Sequence, residues 1–229
     1  MLIIVDKKIP EEAKVNLRQL GELMEIKTSE VVYPAISGHP DIFFTQVDEQ
    51  LVVAPNLPSS YREHLKIKQI SFQIGENIVG VSYPETAKYN AVVTSKHLVH
   101  NLKITDAKVL KLCESKAKIN VNQGYTRCNL IFLNDDFAIT SDAGIAKELI
   151  RNAVEVLFVA TDGIDLPGFK NGFFGGCCGV FQDKLFVLGN LDKYSDGERI
   201  RSFTKASGFS IFELCDTPLF DGGGMVFIS

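Results

Sequence analysis

The chain has 229 residues, of which 45% are hydrophobic and 23% charged, and its formal net charge is −4. This composition suits a globular protein with an ordinary core, and the acidic balance without Lys/Arg runs argues against a nucleic-acid partner. No apolar stretch approaches the roughly 20 residues that cross a bilayer, and the start lacks the order of a signal peptide. We therefore expect a cytoplasmic protein with no membrane partner.

The first complete structural unit begins at Gly38. The segment GHPDIFFTQVDEQLVVAPNLPSSYREHLK contains a turn, an apolar run, a polar turn, a second apolar run, a proline and a helix-like stretch, and the apolar run QISF follows. This order predicts a β-hairpin, a helix and a third strand, which is a ββαβ unit. The same order recurs from Ala87, from Thr126 and from Gly176. The recurrence of one unit along the chain predicts an array of units that pack side by side.

A fifth unit is divided between the two ends of the sequence. The segment DGGGMVFIS at 221–229 supplies a turn and one strand, and LIIVDKKIPEEAKVNLRQLG from Leu2 supplies the second strand, the proline and the helix. Residues 225–228 are therefore expected to pair with residues 2–5. A closed ring of five units buries each unit against two neighbours. We predict an α/β fold that occupies residues 1–229 as a single domain.

Five ββαβ units around a pseudo-fivefold axis resemble the pentein fold, or α/β propeller. Its members include arginine deiminase, dimethylarginine dimethylaminohydrolase, agmatine deiminase, the amidinotransferases and a non-enzymatic ribosome anti-association factor. Three short stretches carry the resemblance at the level of motifs: GHPDIFFTQVDEQLVVAP, QGYTRCNLIF and FDGGGMVFI.

These motifs imply the site residues. The resemblance places the catalytic His at His39, a substrate-binding Asp at Asp41, the nucleophilic Cys at Cys128 and the acid that binds a guanidinium at Asp221. The cyclic order of acid, His, one spare unit and Cys agrees with the family. The chain start would then lie at a different point of the ring, as in a circular permutation.

The sequence also departs from the family pattern. The unit that should carry an Arg-Asp pair instead has Cys177 and Cys178 within a glycine-rich turn, and Asp221 stands where the family has Glu. These departures argue against arginine itself as the substrate. Arg127, Asn90, Cys177 and Cys178 are expected near the substrate, and the Cys177–Cys178 pair is an alternative to Cys128 as the reactive thiol.

The resemblance implies thiol chemistry on a guanidino or amidino substrate. A Cys attacks as its thiolate, and a His within reach can serve as acid and base. We therefore predict a thiol-dependent hydrolase or transferase that uses Cys128 and His39 in the axial pore, on a small cationic substrate and without a cofactor. The chain has five Cys residues without metal-ligand spacing, so no metal is expected.

Two other interpretations remain open from the sequence. A pentein ring with an incomplete set of acids could bind a small ligand or a protein without turnover. Taken singly, His39 before a proline reads as a turn residue, Cys128 as a small buried hydrophobe and Asp221 as a turn acid. The oligomeric state is not predicted.

Overall fold

The fold consists of small three-stranded sheets arranged around a central channel. The computed structural model describes residues 1–229. Five sheets share one plan, in which two antiparallel strands are followed by a helix and by a third strand parallel to the second. The predicted ββαβ unit is thus confirmed five times. A further two-stranded sheet joins two connecting loops.

Each sheet has an inner, a middle and an outer strand. The inner strands are β3 (Phe44–Val47), β6 (Val92–Val93), β9 (Leu130–Asn134), β13 (Cys178–Phe181) and β17 (Val226–Ile228). The middle strands are β1 (Leu2–Asp6), β4 (Gln50–Val53), β7 (His97–His100), β10 (Phe137–Thr140) and β14 (Lys184–Val187). The outer strands are β2 (Glu22–Ile26), β5 (Phe72–Ile74), β8 (Ala117–Asn120), β11 (Glu155–Phe158) and β15 (Ser210–Glu213), and the small extra sheet pairs β12 (Ile164–Asp165) with β16 (Leu219–Phe220).

Five helices connect the middle strands to the outer strands. They are α1 (Glu11–Arg18), α3 (Ser59–Ile67), α4 (Ala107–Leu112), α6 (Ala143–Arg151) and α7 (Gly197–Ala206). Helices α4 and α6 begin with capping residues, because the side chains of Asp106 and Asp142 accept hydrogen bonds from the first turn of each helix. None of the helices combines the length and the apolar character that a membrane crossing needs.

The two ends of the chain complete one sheet together. Strand β17 pairs antiparallel with β1 in the register Leu2↔Ile228, Ile3↔Phe227 and Ile4↔Val226. On its other side β1 pairs in parallel with β2, so every residue of β1 is buried. The split fifth unit is therefore confirmed as predicted.

One-turn helices precede several inner strands where the sequence predicts simple strand starts. Helix α2 (Pro40–Phe43) leads into β3, α5 (Thr126–Asn129) leads into β9, and a 3-10 turn at Phe174–Cys177 leads into β13. Pro40 occupies the first helical position, where its fixed φ and missing N–H are tolerated. Helices α2 and α5 hold the polar side chains of Asp41 and Arg127 at the channel, since each helix ends where an inner strand begins.

The apolar core surrounds the channel and does not fill it. Buried aliphatic and aromatic side chains form four separate clusters between neighbouring sheets. In one of them Ala13 and Leu17 of α1 join Ile3 and Val5 of β1 and Phe186 of β14. Members of these clusters also reach the central channel, where they form its apolar side walls.

The buried side chain of Asp106 holds the loop that follows β5 in place. Its Oδ2 accepts hydrogen bonds from the backbone N–H groups of Glu76 and Asn77 at 3.0 and 2.8 Å and from the Tyr89 hydroxyl at 3.1 Å. Asp106→Ala leaves these donors unpaired, so we expect the free energy of unfolding in urea to fall by about 3 kcal/mol or more. Asp142→Ala is the control, because it removes chiefly a helix cap that contributes about 1 kcal/mol. Equal losses in the two variants would contradict this role of Asp106.

Candidate active site

The axial channel is a cavity of about 360 Å³ whose wall comes from all five inner strands. Its side walls are largely apolar, with residues such as Val92, Ile131 and Met225. Asp41, Arg127 and Gly223, which precede or begin these strands, also line it. We refer to these three residues as the channel floor. A ligand in the channel thus meets charge at the floor and apolar surface along the walls.

Cys128 does not line the channel, but it contacts Asp41 of the channel floor. The Cys128 thiol donates a hydrogen bond to Oδ2 of Asp41 at 2.9 Å. The other oxygen of Asp41, Oδ1, is buried and has no hydrogen-bond partner. Helices α2 and α5 make this contact possible, because each presents one polar side chain where its inner strand begins. Two residues that the motifs single out are therefore brought together.

Asn90 joins the first and third units at this point. Its Oδ1 accepts hydrogen bonds from the backbone N–H groups of Arg127 and Cys128 at 2.7 and 3.2 Å. Its Nδ2 donates to the Asp41 carbonyl at 3.2 Å and to Cys128 Sγ at 3.4 Å. Asn90, which the sequence predicts near the substrate, thus joins the Cys128 thiol to the backbone of Asp41.

The electrostatics of the site favour the neutral forms of the thiol and the acids. Burial, and then the charges of Asp41 and Asp221, raise the pKa of Cys128 well above its usual value. Burial raises the pKa of Asp41 to about 6, against the hydrogen bond from Cys128 and the charge of Arg127. Burial and the charge of Asp41 raise the pKa of Asp221 to about 7. A bound cation would reverse these shifts, because it stabilises the ionised form of each group.

Arg127 places a guanidinium of the chain itself at the floor. Its Nη1 and Nη2 donate to the carbonyl oxygens of Gly175 and Cys178 at 2.6 and 2.8 Å. Gly224 has a φ of +73°, and a Cβ there would lie 2.7 Å from Nη2 of Arg127. Glycine is therefore needed for this side chain to fit. The charge of Arg127 offsets part of the negative charge of Asp41 and Asp221.

Asp221 is held by the backbone around it. Its Oδ2 accepts from the Phe173 N–H at 2.9 Å and its Oδ1 from the Gly223 N–H at 3.1 Å. A Cβ on Gly176 would lie 1.9 Å from Oδ1, so the glycine-rich turn packs directly on this carboxylate. The motif residue Asp221 is thus buried and fixed, as a binding acid needs to be.

His39 faces a different cavity from the one that Asp41 lines. This loop-side cavity has a volume of about 240 Å³, is lined by Asp6, His39 and Asp221 together with residues of the connecting loops, and shares no wall residue with the channel. The nearest acid to His39 is Asp6, whose Oδ2 lies 3.8 Å from Nε2. No hydrogen bond joins His39 to Cys128, and Nδ1 of His39 has no partner. Burial and the charge of Lys8 lower the pKa of His39 to about 3, so its ring is neutral.

Cys177 and Cys178 are both fully buried. Cys177 Sγ makes one hydrogen bond, to the Phe173 carbonyl at 3.4 Å, and neither Cys lines the channel or the loop-side cavity, which is also true of Cys128. Burial raises the pKa of both thiols. Cys178 contributes its carbonyl oxygen to Arg127 instead.

Three residues of the site are not singled out by the motifs. Asp6 ends β1 beside His39, and the hydroxyls of Tyr33 and Tyr125 lie 3.4 Å apart. Burial and the neighbouring charges of Cys128 and Asp41 raise the pKa of Tyr125. The ring of Tyr33 also contacts Phe169, and Leu166 and Pro167 of the same connecting loop line the loop-side cavity. A polar residue at the end of the apolar run LIIVD is the signal that could have indicated Asp6.

We expect the affinity for acetamidine to rise with pH between about 5.5 and 8. The amidinium stays charged over this range, whereas Asp41 and Asp221 ionise as the pH passes their values of about 6 and 7. Because both pKa values are raised, the protonated acids stabilise the fold without ligand at low pH. This stabilisation is lost as the pH rises through about 6 and 7. Calorimetric titrations at pH 5.5 and 8 should differ at least tenfold. A flat profile in the wild type would contradict the assignment of these acids.

The arrangement of sheets matches solved structures of one class. Dimethylarginine dimethylaminohydrolase of Pseudomonas aeruginosa aligns with a TM-score of 0.56 at 11% identity, over 94% of this chain and 92% of that chain. The amidinotransferase SxtG of Microseira wollei aligns with 0.59 at 12%, over 94% and 88%, and agmatine deiminase of C. jejuni with 0.56 at 10%, over 93% and 74%. These enzymes modify amidino or guanidino groups.

The fold is therefore that of the pentein superfamily, a five-bladed α/β propeller, as the sequence predicts. Residues 4–226 match the model of a family of unknown function, DUF6873, and the chain belongs to that family. No curated protein matches this sequence.

Proposed function

We propose that this protein binds the amidinium or guanidinium group of a small substrate at the channel floor and breaks its C–N bond through Cys128, as a hydrolase or a transferase. The observation that carries the proposal is the contact between Cys128 and Asp41. A buried thiol donates to one carboxylate oxygen, and the other oxygen has no partner. The names of the structural neighbours point to the same chemistry.

The first step depends on the charge of the substrate. An amidinium that donates to Oδ1 of Asp41 brings a positive charge beside Cys128. This charge lowers the raised pKa that keeps the thiol protonated. The thiol proton passes to Oδ2 of Asp41, which already accepts it at 2.9 Å. Asp221 supplies a second negative charge for the cation. The free protein thus keeps its nucleophile protonated until a cation arrives.

The covalent step follows from this arrangement. The Cys128 thiolate attacks the central carbon of the amidinium, and the C–N bond to the departing amine breaks as the amine takes the proton that Asp41 holds. An amidino group then remains on sulfur. His39, which is neutral and has a free ring nitrogen, takes a proton from the incoming water or amine that displaces the sulfur. The substrate body would lie in the axial channel.

One observation favours a second candidate function. Cys128 is almost fully buried and has a raised pKa, and no base other than Asp41 reaches it. A pore with these properties can bind an amidinium without attacking it. Reversible binding of acetamidine without any adduct on Cys128 would favour this alternative.

Covalent labelling by 2-chloroacetamidine tests the proposed function. This reagent carries the cation and alkylates a thiolate held beside it, and the modified Cys is mapped by mass spectrometry. We expect selective modification of Cys128 at pH 8, protection by acetamidine and no labelling of this site in Cys128→Ala. Cys113→Ala is the control. Cys113 lies at the C-terminal end of α4, where it is buried in an apolar cluster, so its loss should leave the labelling unchanged. Label on Cys177 or Cys178 would overturn the assignment of the nucleophile.

A further inference from the structure

Cys128 has no open route to solvent. Of the four residues that the motifs imply, it alone lines neither the channel nor the loop-side cavity, and it is 5% exposed. Asp41 and Asn90 contact its Sγ. The glycine-rich turn packs against its backbone, because a Cβ on Gly175 would lie 2.7 Å from the Cys128 carbonyl oxygen. A molecule can therefore meet the thiol only after a neighbouring side chain has moved.

The hydroxyls of two tyrosines lie near this thiol. Tyr125 immediately precedes α5, the one-turn helix that carries Cys128, and Tyr33 comes from the segment between β2 and α2. The two hydroxyl oxygens are 3.4 Å apart. Burial raises the pKa of both tyrosines, and the charges of Cys128 and Asp41 add to this effect. Because the effect of a charge falls off with distance, the tyrosine pair lies close to the contact between Cys128 and Asp41.

The same two tyrosines also face solvent. Both are half-buried, and neither lines the channel. The ring of Tyr125 contacts Tyr83 with centroids 5.8 Å apart, and the ring of Tyr33 contacts Phe169 at 5.9 Å, which are ordinary distances for aromatic pairs. Tyr83 and Phe169 are 51% and 53% exposed. We refer to these four rings as the aromatic arc, which runs from solvent to the neighbourhood of the thiol.

The two halves of the tyrosine pair are held unequally. The Tyr125 hydroxyl makes a hydrogen bond of 2.5 Å with Oγ1 of Thr86. The Tyr33 hydroxyl has only the 3.4 Å contact with Tyr125, which is long for a bond between two hydroxyls. The backbone after Tyr33 is fixed, because Nζ of Lys8 donates to the carbonyl oxygens of the next two residues. The side chain of Tyr33 can therefore rotate while its backbone and Tyr125 stay in place.

We propose that Tyr33 is the gate to Cys128 and determines the size of the molecules that reach it. In the closed state its hydroxyl meets that of Tyr125 and its ring covers the thiol. In the open state the Tyr33 side chain rotates towards solvent, and a slim molecule passes beside Tyr125. A bulky molecule is excluded because Tyr125 does not move. The gate concerns access alone, so it does not depend on whether Cys128 breaks a C–N bond.

Alkylation of Cys128 by two neutral reagents of different size tests the gate. Iodoacetamide and N-phenyl iodoacetamide react through the same carbon with the same thiolate. The ratio of their rates at pH 8 therefore reports access separately from the pKa of Cys128, and the modified Cys is mapped by mass spectrometry. In Tyr33→Ala we expect the rate with the N-phenyl reagent to rise about tenfold or more, since the ring and its aromatic contact are lost. The rate with iodoacetamide should rise less.

Tyr33→Phe separates the hydroxyl from the ring. This variant loses the contact with the Tyr125 hydroxyl but keeps the bulk of the side chain, so the gate should open more often and to the same width. Both rates should then rise by the same factor, and their ratio should stay as in the wild type. Phe158→Ala is the control, because it removes a ring that is 46% exposed on β11 and lies outside the aromatic arc. It should change neither rate.

An unchanged ratio in Tyr33→Ala, or the absence of any adduct on Cys128 in that variant, would overturn the gate. An equal rise in labelling of the fully buried Cys177 would also overturn it, since the substitution would then have loosened the fold as a whole. The proposed function fails separately. If Cys128 becomes accessible in Tyr33→Ala but does not prefer 2-chloroacetamidine to 2-chloroacetamide, the gate stands and the amidinium site does not.

Discussion

Gly223→Ala should be among the most destabilising single substitutions in this protein. The backbone at Gly223 has a φ of +69°, and an added Cβ would lie 2.3 Å from Cβ and 2.7 Å from Cα of His39. The left-handed conformation costs a non-glycine residue about 1 kcal/mol or more, and overpacking a buried site costs about 1 to 3 kcal/mol. We expect the free energy of unfolding to fall by about 3 kcal/mol and Tm by about 6 to 12 °C.

Gly208→Ala separates the two causes. Gly208 has a φ of +84° but no atom within 4 Å of an added Cβ, so this variant carries the conformational cost alone, about 1 kcal/mol. Urea and thermal unfolding of the two variants should therefore differ by the steric contribution at His39. A Gly223→Ala variant as stable as Gly208→Ala would show that the channel floor can move aside.

Asp41→Asn should slow labelling of Cys128 by 2-chloroacetamidine about 10- to 100-fold. The substitution keeps the shape of the side chain but removes the charge that the amidinium would contact, and hydrogen bonds to charged groups contribute about 1.5 to 3 kcal/mol. The measurement is the second-order rate of adduct formation at pH 8, followed by mass spectrometry.

The neutral reagent 2-chloroacetamide is the matched control. Asp41→Asn removes the proton acceptor of Cys128 for both reagents, but it removes the contact with the cation for only one of them, so the neutral reagent should be slowed much less. The ratio of the two rates then reports cation binding separately from thiol reactivity. Equal slowing of both reagents would show that Asp41 shapes the thiol and does not bind the cation.

Much of the fold could be predicted because the repeats carry redundant information. Each unit shows the same hairpin, helix and third strand, so the divided unit could be completed from its four intact copies. The pairing of β17 with β1 was predictable for this reason. The one-turn helices before β3 and β9 were not, since a single helical turn has no periodicity to detect.

The site residues were predicted from the three short motifs that carry the family resemblance. Asp41, Asn90 and Cys128 each stand shortly before the inner strand of their unit, and hydrogen bonds join them next to the channel. Asp6 ends a middle strand, so no repeat position pointed to it. His39 is two residues from Asp41 but faces the loop-side cavity, because a side chain two positions away on a helical turn points in another direction.

The sheet that the two ends of the chain form together also determines when the fold can be completed during synthesis. Strand β1 is made first, yet one of its two neighbours, β17, is made last. The same late segment supplies Asp221 and Gly223, which complete the two cavities. A growing chain therefore acquires its ring closure and the last wall residues of both cavities in one event, and a chain cut short before residue 221 lacks both.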